Sequence, residues 1–270
     1  MAPHTGRMGE RGGPVMHQAI TPATAAAPLP RRSDAGTVRV SGRDIAGLML
    51  CGEMYGAPYD LLADYLNVQP DRLRGIVARW RAAGYAETGR LGPGPAWCWL
   101  TRPGLAALGL RFAAGRPSLG RLAHLRAVLA ARLALESSPA GQAGQPWWRS
   151  ERRIRAAAGG RAGGGHIPDA EACWAEIPGS RYPGERWAIE AELTPKPLTR
   201  TAAIMAALLY RRTGYSPGAK PHDRPRYDRA VYLVSPPARS VVTRAAAATL
   251  PAPLQARVTI RDLPPEAMPW

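Results

Sequence analysis

The chain has 270 residues, enough for two domains that each bury a core, and its 36 Lys+Arg against 20 Asp+Glu give a net charge of +16 and a pI near 10.9. This balance favours a polyanionic partner, nucleic acid first, over an acidic substrate. Three widely spaced cysteines without a CxxC pair argue against a zinc ribbon or a disulfide framework, and no apolar run approaches the length of a membrane span.

Residues 1–40 are rich in Gly, Pro, Ala and Thr and lack apolar periodicity, which predicts a disordered tail. Pro22, Pro28 and Pro30 break up the apolar residues there, so the segment does not read as a secretory signal, and a reducing cytoplasm is the expected location.

Residues 41–112 read as a helical block. Two helices are expected in "RDIAGLMLCGEMYGA" and "YDLLADYLNV", and a third in "QPDRLRGIVARWRAAG", opened by Pro70 and closed by Gly84. On the third, Leu73, Ile76, Val77 and Trp80 share one face, while Arg72, Arg74, Arg79 and Arg81 lie mostly outside it, where they can meet phosphates. "YAETGRLGPGPAWCWLT" then offers two short strands around a Gly/Pro turn that carries Arg90, and Thr101 is placed to cap a further helix. This order of elements resembles a winged helix-turn-helix domain, which implies that the third helix enters the major groove of DNA and the wing touches the backbone. A small helical domain used for protein contacts is the alternative.

Residues 113–146 connect this block to the rest. "SLGRLAHLRAVLAARLALE" sets Leu122, Leu125, Leu129 and Leu133 near a 3.6 period with Arg121, Arg126 and Arg132 off that stripe, and "SSPAGQAGQP" follows with linker chemistry. Residues 113–165 hold nine Arg and two Glu, so this most basic stretch is expected to hold a nucleic-acid backbone. Trp147 and Trp148 could stack on bases or pack between domains, and the glycine run "AAGGRAGGGH" reads as a flexible linker.

From 147 to 265 strand patterns alternate with helices, which predicts an α/β domain with a mixed sheet. Its most informative stretch is "WAIEAELTPKPLTR". Alternation puts Trp187, Ile189, Ala191 and Leu193 on one side of a strand and Glu190 and Glu192 on the other. "GHIPDAEACW" reads as the neighbouring strand of a hairpin, so Asp169 is expected beside the glutamates. Three carboxylates on adjacent strands repel one another unless a cation intervenes, and hard oxygen donors suit Mg²⁺ or Mn²⁺. Such an ion would polarise a phosphodiester and acidify a bound water, with a nearby lysine stabilising developing negative charge. A half-exposed strand face alternates apolar and charged residues in the same way. His166, just before the Pro-Asp pair, could approach the site, although a lone histidine is more often a surface or packing residue.

"IPDAEA" followed by "AIEAELTPK" resembles the motif of the PD-(D/E)xK nuclease-like fold. With the helical block ahead of it, the pattern over about residues 41–263 is similar to the replication-relaxation family of actinobacterial plasmids and integrative elements. The resemblance implies Asp169 as the first metal ligand, Glu190 as the acid of the second strand, and Glu192 at the place where the nuclease motif usually has its lysine. It also implies that Lys196 returns that positive charge, that Arg200 assists from the following helix, and that Glu151 in "WRSERRIRAA", read as a helix, matches the helical acid of that fold. The expected function is a DNA-binding accessory protein of plasmid or integrative-element replication or transfer, working with the proteins of that process. A metal-dependent endonuclease or nickase and a winged-helix transcription regulator are the alternatives.

Overall fold

A computed structural model describes residues 40–158, 166–210 and 227–267. The tail expected at 1–40 lies outside the described residues apart from Val40, as does the glycine run from 159 to 165.

Three helices come first: α1 (Gly42–Glu53), α2 (Tyr59–Leu66) and α3 (Pro70–Ala82). Ser41 and Asp44 close a reciprocal cap on α1, and Pro70 occupies the first turn of α3, where its missing N–H costs nothing. Leu73, Ile76, Val77 and Trp80 are all buried, while Arg72, Arg74, Arg79 and Arg81 are exposed. Strands β2 (Ala86–Gly89) and β3 (Trp97–Leu100) form the expected antiparallel pair. A two-residue strand, β1 (Ala57–Pro58), too short to register as alternation, adds to the other edge of β3. Thr101 caps α4 (Arg102–Ala107) by accepting from the Gly104 amide at 3.1 Å, and a Cβ at Gly104 would stand 2.0 Å from the Tyr85 carbonyl oxygen.

The connecting helix is α5 (Leu122–Ser137), but its arginines turn inward. Arg126 is 4 % exposed and donates to both oxygens of Asp60 on α2, at 3.0 and 2.7 Å, while Arg132 bonds Glu136 and reaches Glu53 on α1. These guanidiniums clamp α5 to the first block, so Arg126 and Arg132 are not part of the open phosphate surface that the composition predicts. The expected linker after it contains a helix, α6 (Pro139–Gly144), because Ser138 accepts from the Gly141 amide at 3.0 Å and Gly141 and Gly144 fit against the Leu135 carbonyl and the Trp174 ring. The helix expected in "WRSERRIRAA" begins as a strand, β4 (Trp147–Ser150), with Ser150 capping α7 (Glu151–Ala157).

The second sheet continues with β5 (Ala170–Cys173), β6 (Arg186–Glu192), β7 (Arg229–Val234) and β8 (Val258–Asp262), in the order β4-β5-β6-β7-β8. The β4–β5 and β5–β6 pairs are antiparallel, and β6–β7 and β7–β8 are parallel. In the chain α8 (Leu198–Leu209) separates β6 from β7, and α9 (Pro236–Thr249) and α10 (Ala252–Gln255) separate β7 from β8. One face of this sheet, with Ile189, Ala191 and Val231, shares a core with α1, α2, α3 and α5 that runs from Leu48 to Ala267. The other face, with Ala188, Ala230, Tyr232 and Val234, packs with α8 and α9. Trp148 is buried in the first core, which settles it as a packing residue, and Trp147 is 57 % exposed. The protein is thus a mixed α/β structure with two sheets, and no helix among the described residues is long and apolar enough to cross a membrane.

Candidate functional site

The register of the sheet brings the predicted acids together. Ala170 pairs with Ile189, so Asp169, one residue earlier, falls beside Glu190. Asp169 is held from two sides: its Oδ2 accepts from the Ala191 amide at 2.9 Å, and its Oδ1 lies 2.9 Å from Nε2 of His124 on α5. Glu190 is 2 % exposed, with its Oε1 2.7 Å from Nε2 of His166. Glu192 is equally enclosed, and its Oε1 accepts from Lys196 Nζ at 2.5 Å. Each carboxylate therefore has a nitrogen partner of its own. Tyr232, opposite Glu190 in the β6–β7 register, shares its face, and the buried Tyr232 hydroxyl has no hydrogen-bond partner among the described residues.

Electrostatics follow from this crowding. Burial, and then the Asp169 charge, raise the Glu190 carboxyl well above the ordinary carboxylate range, against the pull of Lys196. Burial also raises Glu192, although Lys196 bonds it. The Tyr232 phenol is pushed up well above its usual value by burial and by Glu190 and Glu192. For His124, burial disfavours the imidazolium, but the bond and charge of Asp169 outweigh it and hold its pKa up. Two cavities flank His124. The larger, of about 500 Å³, is lined by His124, Glu192, Thr194, Lys196 and Ser235, and a much smaller one by Tyr55, Arg121, His124, Glu151 and Asp169.

The remaining predicted residues are placed as follows. Glu151, at the start of α7, is closed by Arg121 at 2.8 Å and Arg155 at 2.7 Å, so its oxygens face arginines rather than an ion. Lys196 directs its charge to Glu192, so this acid has a cationic partner of its own. Arg200 is exposed on the first turn of α8, and Arg90 is exposed in the turn after β2. Arg74 pairs with Asp71, and Arg79 approaches Asp44 at 3.5 Å. His166, for which approach to the site stood beside a surface or packing role, bonds Glu190. His124 and Tyr232 were not legible as site residues. His124 sits in a Leu/Arg helix 45 positions from its partner, and its only local signal is a titratable ring beside the leucine stripe.

Mg²⁺ is commonly held by one or two carboxylates and completed by water and substrate phosphate. Asp169 and Glu190 fit that donor set: they are adjacent oxygen donors, and a cation would offset the burial and the carboxylate repulsion that raise the Glu190 carboxyl. Among the described residues no three His, Cys, Asp or Glu side chains form a ready-made metal cage. No protein-family model matches this sequence, and no curated protein matches it. The functional reading rests on the residues themselves.

Proposed function

We propose that the chain is a DNA-binding accessory protein of plasmid or integrative-element replication or transfer, with a winged-helix block that docks on duplex DNA and a nuclease-like sheet behind it. The observation that carries this reading is the division of α3, whose apolar residues are buried while Arg72, Arg74, Arg79 and Arg81 face solvent, with Arg90 exposed in the wing. The contacts of Arg74 and Arg79 with carboxylates leave both guanidiniums more than half exposed, so they exchange readily for phosphates. Replacing all four α3 arginines by alanine is expected to leave the fold intact, weaken DNA binding across sequences and lower the salt-dependence slope by about three to four. Unchanged binding of that variant by fluorescence anisotropy would sink the assignment.

A second reading, a metal-dependent endonuclease or nickase, is favoured by the Asp169–Glu190 pair. These two residues would hold Mg²⁺ or Mn²⁺, which supplies charge neutralisation at a phosphate and a more acidic bound water. The Ala191 amide and His124 fix the orientation of the Asp169 carboxylate, and His166 holds Glu190. Lys196 lends positive charge to the cavity through which a phosphate would enter. The test is supercoiled plasmid with either metal, comparing the native chain with Asp169→Ala and Glu190→Ala. Metal-dependent nicking lost in both variants supports the enzyme; equal retardation without cleavage leaves a protein that works by binding.

A further inference from the structure

Between α5 and the sheet face it covers lies a cavity of about 230 Å³ that neither the arginine face nor the carboxylate cluster uses. Small side chains, Ala131 and Ala134, line it from the C-terminal half of α5, and Trp148, Ile189 and Val231 line it from three strands. An apolar cavity of about 150 Å³ already takes up benzene, so this space suits a fused two-ring aromatic.

One polar feature distinguishes it from a packing gap. The exposed lining includes Arg261 and Asp262 at the end of β8. Arg239 holds the Asp262 carboxylate at 2.5 Å, while Arg261 forms no ion pair among the described residues. The rim therefore presents a guanidinium whose acidic neighbour is already neutralised.

We propose that this cavity binds a small aromatic anion, with its rings between Ala134 and the strands and its negative group at Arg261. Such a ligand would sit under the helix that bonds Asp60 of the first block through Arg126 and Asp169 of the sheet through His124, so its occupancy bears on both.

The probe is anilinonaphthalene sulfonate, titrated by fluorescence into the full chain beside its uncharged analogue N-phenylnaphthylamine. One saturable site per chain is expected for both. Ala134→Trp, at an exposed position, fills the mouth and is expected to weaken both by about tenfold or more. Arg261→Gln is expected to weaken only the sulfonate, by about threefold, as befits one solvent-facing ion pair. Unchanged sulfonate affinity in Ala134→Trp, or binding that never saturates at one per chain, overturns the proposal. If Ala134→Trp loses its cooperative thermal transition, Arg261→Gln decides alone, and equal affinities of that variant and the native chain for the sulfonate overturn it.

Discussion

Glu171 and Glu190 project from the same face of one sheet, on adjacent strands, each 2 % exposed, yet their surroundings are opposite. Glu171 accepts from Arg149 at 2.7 Å, from Arg186 at 3.2 Å and from the Tyr227 hydroxyl at 2.5 Å. Glu190 has His166 for a partner and two carboxylates, Asp169 and Glu192, for neighbours. The first is a fastener that ties β4 and β6 to β5 with charge-assisted bonds. The second is costly to keep, and such a cost is characteristic of places where charge is used. Burial of an acid therefore does not mark a site; burial without enough counter-charge does.

The largest effect expected from this contrast falls at the fastener. Glu171→Ala leaves Arg149 and Arg186 without their carboxylate and is expected to cost about 2–3 kcal/mol in urea unfolding, less than a fully enclosed pair because both guanidiniums reach solvent. A loss under about 0.5 kcal/mol would break the comparison, since it would make Glu171 as dispensable as a surface residue.

Glu190→Gln is expected to do the reverse. A carboxyl whose folded pKa is raised favours the folded state while protonated. That contribution is complete below the unfolded value of 4.5 and is lost as pH rises through the higher folded value. Glutamine keeps the shape and cannot ionise. In metal-free buffer the native chain should therefore lose stability relative to the variant as pH climbs from 4.5 toward neutrality, in urea unfolding followed across that range. Parallel pH profiles would mean that the Glu190 charge is already compensated in the folded chain.

How much of this was readable in advance depends on the range of the interactions. The α3 face was legible because Leu73, Ile76, Val77 and Trp80 repeat within one helix, and the Glu190/Glu192 face because alternation is a two-residue pattern. The mixed α/β architecture followed from the same local signals. The α5 arginines misled because composition counts charges without saying where they point: Arg126 turns into the core to meet Asp60, 66 positions earlier. The helix in 139–144 was hidden because its Gly and Pro have linker chemistry, and only packing against Leu135 and Trp174 makes those glycines a tight turn. His124 and Tyr232 entered the site through sheet register and helix docking, which no local window contains.

The sharpest test compares two phenols, and one of them carries the smallest effect expected here. Tyr227 donates to Glu171, so Tyr227→Phe removes a bond to a charged acceptor and is expected to cost about 1.5–3 kcal/mol. Tyr232 lies beside Glu190 with its buried hydroxyl unmatched, so Tyr232→Phe removes a polar group without a partner and is expected to change stability by less than about 0.5 kcal/mol, or to raise it. The two midpoints, measured in the same metal-free buffer at pH 7, rank the two ends of the sheet face directly. Equal losses would mean that the Tyr232 hydroxyl has a partner in solution, such as a water shared with Glu190. The two carboxylates would then differ in counter-charge but not in hydrogen bonding, and the raised Glu190 pKa alone would carry the distinction between fastener and site.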